Sequence, residues 1–229
     1  MLSIIIPTLN EEAAIAFSLT RLQPLRGRGA EVIVVDGGST DSTVALARGL
    51  ADVVTDAPCG RASQMNAGAR QANRAELLFL HADTILPDDA MEQIDAAFSE
   101  PQRVWGRFAV QFKSDLRLLP LVGFLMNVRS RYTGIATGDQ AIFVRRAAFQ
   151  QVGGFPEIAI MEDIALSREL KRLAPPVCLR SKVTTSGRRW EQNGTIRTIL
   201  LMWQLRLEYF FGADPSHLAI KYMYARRRH

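Results

Sequence analysis

The chain has 229 residues, of which 48% are hydrophobic and 22% charged, a balance that excludes a fully disordered protein and predicts one large domain with a substantial core. The net charge is +5, but residues 226–228 are all arginines, so the body of the chain is nearly neutral and a nucleic-acid-binding surface is not indicated. We expect this arginine run to be a solvated tail, with binding to anionic lipid as the alternative.

Short apolar runs and amphipathic segments alternate through the first part of the chain. The predicted strands, rich in β-branched or other large apolar residues, are residues 2–6, 31–35, 52–55 and 77–80. Helices are predicted between them: Asn10 caps the first, Pro24 ends it, and Ser39 or Asp41 caps the second. This alternation is typical of an α/β domain with a doubly wound, mostly parallel sheet and helices on both faces.

The pattern then changes. Residues 104–113 alternate apolar and polar side chains, which predicts a strand with one face toward water or a ligand. Residues 118–128 predict an apolar helix that Pro120 and Gly123 interrupt.

A long apolar helix is predicted at residues 195–211. It carries Arg197 and Arg206, and it is expected either to lie in a core or dimer interface or to meet lipid at a surface. We divide the chain into a main domain at 1–190 and a helical extension at 191–229, packed on or beside it.

Cysteine and histidine usage limits the class of protein. Cys59 and Cys178 are too few for a disulfide scaffold or a zinc ribbon, and three histidines argue against a multi-histidine metal cage. The longest stretch without a charge, residues 118–128, is shorter than the ~20 residues that span a bilayer, and the N-terminus does not resemble a signal peptide. We expect a cytoplasmic protein, with a location at the inner face of a membrane left open.

Polar residues follow the predicted strands directly, where ligands bind in open α/β sheets. Asp36 precedes two glycines, so it is placed to accept hydrogen bonds from a nucleobase or ribose, or else to close a turn. Asp83 follows the fourth strand and suits a hard divalent cation, or is simply a turn aspartate.

Three further segments carry groups that bind or react. Arg61 and Asn66 lie among small residues that let them approach a planar or phosphate group. Glu162 and Asp163 lie in an apolar stretch, where adjacent carboxylates either cap a helix or act as a base. Residues 188–190 place two arginines beside a tryptophan, which suits a pyrophosphate and a sugar, or a packed loop.

Together these segments resemble the family-2 glycosyltransferases, which have the GT-A fold, over residues 1 to about 190. The matching blocks are IPTLNEE at 6–12, VDGGSTDST at 35–43, GRASQMNAG at 60–68, LHAD at 80–83, GDQ at 138–140, GGFPE at 153–157 and MED at 161–163. The resemblance makes residues 1–190 a GT-A nucleotide-sugar-binding catalytic domain. Its C-terminal part looks like a bacterial subgroup of that family.

The resemblance also implies roles for single residues. Asp163 is the catalytic base, Asp83 the metal ligand, Asp36 a ligand of the base or ribose, and Arg61 a neighbour of the base. The other residues assigned to substrate are Pro7, Thr8, Asn10 and Glu11 around the nucleoside, Arg188, Arg189 and Trp190 at the diphosphate and acceptor, and Asn66, Asp139 and Glu162. His81 stands where the family motif D-x-D has its first aspartate, so a divalent cation, Mn²⁺ or Mg²⁺, depends on Asp83.

The predicted function is inverting transfer of a sugar from a nucleotide-diphosphate sugar, UDP-linked by family analogy, to an acceptor hydroxyl on a sugar, a lipid-linked compound or a small molecule. The alternatives are a nucleotide-sugar-binding protein without turnover and a nucleotidyltransferase. A nucleotidyltransferase would have a glycine-rich phosphate loop after the first strand, where this chain has Pro7-Thr8-Leu9-Asn10. No nucleic-acid partner is expected, and peripheral membrane contact and a homodimer are left open.

Overall fold

A computed structural model describes residues 1–226, without the side chains of residues 189 and 224–226, so the predicted arginine tail lies largely outside the described residues. The strands are β1 (Leu2–Thr8), β2 (Glu31–Asp36), β3 (Val53–Asp56), β4 (Glu76–Phe79), β5 (Thr84–Ile85), β6 (Trp105–Lys113), β7 (Ile142–Arg145) and β8 (Val177–Ser186). The helices are α1 (Glu12–Gly27), α2 (Thr43–Ala47), α3 (Arg61–Gln71), α4 (Ala90–Ala97), α5 (Leu119–Thr133), α6 (Arg146–Gln151), α7 (Glu162–Leu173), α8 (Arg188–Asn193), α9 (Thr195–Phe210) and α10 (Pro215–Arg226), with a 3₁₀ turn at Gly138–Gln140.

The strands form one mixed sheet in the order β3-β2-β1-β4-β7-β6-β8-β5. Strands β1 to β4 pair in parallel, as the βαβ alternation predicts, whereas β7 is antiparallel to both of its neighbours. The chain moves outward from β1 through β2 to β3 and then returns to place β4 on the other side of β1. This reversal creates a topological switch point, where open α/β sheets bind their ligands.

Alternate side chains of the central strands fill two separate cores. Ile4 and Ile6 of β1 pack on one side of the sheet with α1 and α4, and Ile5 packs on the other side with α3, α6 and α7. Helices therefore cover both faces, and the α/β prediction is confirmed. The polar ends of the parallel strands are left at the edge of a rigid, doubly covered sheet.

The C-terminal helices pack onto the start of α7. Leu205 of α9 and Leu218 of α10 form a third apolar cluster with Met161 and Ile164. Among residues 1–226, no helix has the length and apolar character needed to cross a membrane.

Two predictions about the first helix are wrong. Pro24 lies inside α1, which runs on to Gly27. Asn10 does not cap this helix; its backbone is left-handed, with φ +54°, and its side-chain oxygen accepts a hydrogen bond from the N–H of Thr40 instead. Of the two candidates for the cap of the second helix, Ser39 instead donates its hydroxyl to Asp36, whereas Asp41 accepts a hydrogen bond from the N–H of Thr43, the first residue of α2, at 3.0 Å.

The predicted wet face of β6 is wrong for the first part of the strand, where Trp105 and Arg107 are buried, and confirmed at its end, where Gln111 and Lys113 are exposed. Arg107 is buried, and its guanidinium donates to the Ser130 hydroxyl (Nε to Oγ, 3.0 Å) and to the Asn127 carbonyl (3.1 Å), both on α5. Helix α5 is continuous, because Pro120 lies in its first turn, where no intrahelical N–H bond is lost. Strand β8 was not predicted; it pairs with β6 and β5.

Candidate active site

The loop after β2 is organised by the Asp36 carboxylate, which is buried. It accepts hydrogen bonds from the N–H groups of Gly38 (2.8 Å) and Ser39 (2.7 Å) and from the hydroxyls of Ser39 (2.5 Å) and Thr8 (3.2 Å). Burial raises the pKa of Asp36, but these hydrogen bonds outweigh it and hold the pKa below its ordinary value. Asp36 is therefore an ionised group that fixes the loop.

Gln64, to which the sequence gave no role, ties this loop to α3. Its buried amide nitrogen donates to the carbonyls of Thr8 (2.7 Å) and Val35 (2.8 Å), at the carboxyl ends of the two parallel strands. Gly37 leaves room for it, since a Cβ there would lie 3.0 Å from the Gln64 amide. No sequence pattern marks Gln64, because its partners are up to 56 residues away.

A second group of charges lies beside this loop. The Glu11 N–H donates to Thr43 (2.8 Å), and its carboxylate pairs with the Nη2 of Arg188 at 3.1 Å. The same Nη2 lies 3.7 Å from the Asp83 carboxylate. Arg188, from the start of α8, thus links two acidic residues that follow different strands. A cleft of about 300 Å³ opens beside Asp83 and Arg188.

A third group surrounds Asp163. Its Oδ2 accepts a hydrogen bond from the N–H of Gly138 at 2.8 Å, which holds the 3₁₀ turn against the start of α7. The neighbouring Asp139 lies 3.3 Å from His81 (Oδ1 to Nδ1). Gly138 is required there, because a Cβ would lie 2.5 Å from His81 Nε2. His81, two residues before Asp83, brings the second and third groups together.

Glu162, next to Asp163, is almost fully buried, and its carboxylate lies 3.9 Å from the Arg61 guanidinium. Burial raises the pKa of Glu162, and the charge of Asp163 raises it further, while Arg61 opposes both. Burial lowers the pKa of Arg61, but Glu162 and the nearby aspartates more than offset that and leave it raised. Since Arg61 begins α3, which also carries Gln64, the third group is joined to the Asp36 loop.

The acidic residues do not form a protein-only metal cage. Within the described part of the chain, no three histidine, cysteine or acidic side chains gather closely enough to hold an ion. Asp83 is half-buried, and His81 faces Asp139. The Asp83 carboxylate suits a hard cation whose other ligands are phosphate oxygens and water.

The remaining predicted site residues have these positions. Pro7 pairs with Val35 in the sheet register. Both ends of the Asn66 amide bond the Phe155 backbone (2.8 and 2.9 Å), a contact that braces two distant segments. The Trp190 ring packs edge-on to Phe112 at 5.6 Å. The side chain of Arg189 lies outside the described residues. Substrate binding by these four residues stays a prediction.

Sequence reasoning missed two arginines near Asp163. Arg129 of α5 and Arg206 of α9 each have buried N–H groups without a hydrogen-bond partner in the described part of the chain. Burial, and after it the charge of Arg206, lower the pKa of Arg129 to about 10, although Asp163 opposes the shift. Burial likewise lowers the pKa of Arg206, opposed by Asp163 and Asp139.

Two curated proteins match most of this chain. The chain is 24% identical over 217 residues to a poly-beta-1,6-N-acetyl-D-glucosamine synthase of Staphylococcus epidermidis, covering 84% of this chain and 52% of that protein. It is 30% identical over 173 residues to a PGL/p-HBAD biosynthesis glycosyltransferase of Mycobacterium bovis, covering 68% of this chain and 63% of that protein. The chain thus spans about half the length of the first relative and less than two thirds of the second.

Solved structures share the fold. The mannosyltransferase PcManGT from Pyrobaculum calidifontis, in complex with GDP-Man and Mn²⁺, matches with a TM-score of 0.65 at 19% identity, over 99% of this chain and 70% of that one. Residues 1–349 of S. aureus TarS, in complex with UDP-GlcNAc, match with a TM-score of 0.64 at 22% identity, over 81% and 58%. These likenesses establish a GT-A fold.

The family model described as "Glycosyl transferase family 2" matches residues 3–153, which include Asp36, Asp83 and the 3₁₀ turn beside Asp163. The chain belongs to glycosyl transferase family 2.

Proposed function

We propose that this chain transfers a sugar, with inversion, from a nucleoside-diphosphate sugar to an acceptor hydroxyl, with Asp163 as the base. The observation that supports this is the linkage of three polar groups at one edge of the sheet: the Asp36 loop, the Glu11–Arg188–Asp83 group and the Asp163 group. Gln64 and Arg61 of α3 connect the first with the third, and Glu11 connects the first with the second.

Asp163 is suited to act as the base, because its carboxylate is held in place by a hydrogen bond and is only partly buried. One of its oxygens is fixed by the Gly138 N–H, which orients the carboxylate without neutralising it. The acceptor hydroxyl gives its proton to Asp163 as its oxygen forms a bond to the sugar C1. The bond from C1 to the diphosphate breaks on the opposite face, and the bonding electrons leave with the diphosphate.

Charge on the departing diphosphate needs neutralisation. Arg188 is half-exposed beside Asp83, so its guanidinium is available to phosphate oxygens. A divalent cation, Mn²⁺ or Mg²⁺, would be held by Asp83 together with the diphosphate and would supply electrostatic stabilisation of the leaving group. The nucleoside lies, in this proposal, against the ordered loop of Thr8, Asp36 and Asn10.

Residues 1–190 form the catalytic domain in this proposal and residues 191–229 its helical extension. UDP is the proposed nucleotide. The outer face of α9 exposes Ile196, Leu200, Trp203 and Leu207, each 60% or more accessible. An exposed apolar stripe of this kind favours a helix that contacts the cytoplasmic face of a membrane. It does not favour a helix buried in a core.

Binding and turnover together test the proposal. UDP with Mg²⁺ or Mn²⁺ is expected to raise the unfolding temperature of the wild type, because a ligand that binds only the folded state stabilises it. Asp163→Asn is expected to keep this UDP stabilisation and to lose roughly 10²–10⁴-fold in turnover, measured as UDP release from a panel of UDP-sugars and acceptors.

Glu169→Gln, an exposed change on the same helix, is the control and is expected to behave as the wild type. Full turnover by Asp163→Asn would remove this residue from the base role. UDP binding without release from any donor would favour the nucleotide-sugar-binding alternative.

A further inference from the structure

Two arginines that the proposed reaction does not use lie on helices whose neighbouring residues pack around the start of α7, and the charge of Asp163 acts on both. Arg129 comes from the last turns of α5 and Arg206 from the middle of α9. The Nε and Nη2 of Arg129 and the Nε of Arg206 are shielded from solvent and have no hydrogen-bond partner in the described part of the chain. Three buried donors on two cations are thus unsatisfied at one place in the fold.

Packing fixes this arrangement independently of charge. Leu205, adjacent to Arg206, is fully buried against Met161 and Ile164, which flank the Glu162–Asp163 pair. Ile135, two residues beyond α5, is packed against the same cluster. The end of α5 and the helix α9 are therefore both packed at the start of α7, which begins with Glu162 and Asp163.

The arrangement is costly without an anion. The charge of Arg206 opposes that of Arg129, and the three shielded donors gain no hydrogen bond from the described residues; a buried donor without a partner costs about 1–3 kcal/mol. Asp163 attracts both arginines and Asp139 attracts Arg206, but Asp163 Oδ2 already bonds Gly138 and Asp139 faces His81, so neither carboxylate satisfies the three buried donors. A doubly charged oxyanion would satisfy the donors and balance the charge.

We infer that Arg129 and Arg206 bind a phosphate-type oxyanion carried by the acceptor. This rests on the proposed function, in which Asp163 deprotonates the acceptor. The donor diphosphate is assigned there to Asp83 and Arg188, so an anion beside Asp163 and α9 belongs to the other substrate. The acceptor is accordingly a phosphorylated alcohol, either soluble or a lipid with its phosphate at the membrane surface.

Phosphate titration tests this assignment. The protein is first saturated with UDP and Mg²⁺, and inorganic phosphate is then titrated calorimetrically at constant ionic strength with chloride. The wild type is expected to bind one phosphate. Arg129→Gln and Arg206→Gln are each expected to weaken binding about tenfold or more, because a charge-assisted hydrogen-bond pair is lost. Arg129→Lys, which keeps the charge, is expected to recover part of the affinity.

Arg131→Gln, a change of the same charge on an outward position of α5, is the control and is expected to leave phosphate affinity unchanged. In phosphate-free buffer Arg206→Gln is expected to unfold at the same urea concentration as the wild type or higher, since no described hydrogen bond of its side chain is lost. A large loss of stability would instead mark a structural arginine and overturn the inference.

Other outcomes are also decisive. No phosphate binding by the UDP-bound wild type, or an equal loss in Arg131→Gln, would overturn the inference while UDP binding still supports the proposed function. Phosphate that competes with UDP would move the site to the donor and overturn it. Failure of UDP itself to bind would refute the proposed function and, with it, the acceptor assignment. Glycerol 3-phosphate and phosphatidylcholine vesicles containing phosphatidic acid, compared on wild type and Arg206→Gln, distinguish the soluble source from the lipid source.

Discussion

Asp36 has two interpretations from sequence, a ligand of the nucleoside or a turn residue; its contacts confirm the turn residue, and the nucleoside role stays a prediction. Its four hydrogen bonds stay within the strand ends and the loop, so it gives this loop a single conformation. A loop ordered before the ligand arrives loses less entropy on binding.

Replacing Asp36 should therefore weaken both folding and nucleotide binding. For Asp36→Ala we expect UDP affinity to fall by ~1–3 kcal/mol, measured by calorimetry, because loop donors lose their acceptor. Intact affinity would contradict the pocket assignment. Since its folded pKa lies below the ordinary 3.8, Asp36 adds stability that is present above that pH and is lost as pH falls through the folded value. In Asp36→Asn, the free energy of unfolding should therefore fall less steeply as the pH is lowered.

Glu162 is expected to show the opposite dependence on pH. Burial and Asp163 raise its folded pKa above the ordinary 4.5, so its contribution to stability is full below pH 4.5 and is lost as pH rises through the folded value. Glu162→Gln should remove this loss, which urea unfolding across the pH range measures. If the free energy of unfolding changed with pH equally in the wild type and in Glu162→Gln, the raised pKa of Glu162 would be contradicted. The matched variant Glu169→Gln, on the exposed side of α7, should change nothing.

Helix α3 is positioned by how closely it approaches the sheet. A Cβ at Gly68 would lie 2.5 Å from Ile5 Cγ2 and 3.0 Å from Val35 Cγ2, so no larger residue fits without moving the helix. This close approach brings Gln64 to the strand ends and Arg61 to Glu162.

Gly68→Ala should therefore destabilise the protein by about 1–3 kcal/mol, despite the better helix propensity of alanine, because overpacking displaces α3. We also expect weaker UDP binding, since Arg61 and Gln64 would move with the helix. Gly27→Ala is the matched control, because a Cβ there meets nothing within 4 Å and stability should hardly change. Urea unfolding of both variants measures the difference, and an unaffected Gly68→Ala would refute the packing argument.

The exposed stripe of α9 concerns the surface of the complete fold. Leu205 turns inward to the cluster with α7, while Leu200 and Trp203 on the other side are 64% and 69% exposed. The prediction that α9 lies in a core is thus wrong for the face that carries Leu200 and Trp203. One side of α9 supports the site, and the other is free for a lipid surface or a second copy of the chain.

Leu200→Gln with Trp203→Gln should reduce sedimentation with anionic liposomes about tenfold or more, because two large apolar side chains no longer enter the membrane. The unfolding temperature should stay constant, since neither side chain is buried. Gln204→Ala on the same helix is the control. If the double variant sediments like the wild type, or if light scattering shows that it disrupts a dimer, the membrane proposal fails.

The sequence by itself determined the α/β class, the first four strands of the βαβ part and the polar segments at their ends, because side-chain periodicity and turn chemistry are local properties of the chain. It also determined the family, through blocks such as residues 6–12 and 35–43. Only the tertiary structure decided that Arg107 turns into α5, that Gln64 bridges two strand ends, and that Arg129 and Arg206 keep buried donors without a described partner. These depend on burial and on partners far along the chain, so no local pattern contains them.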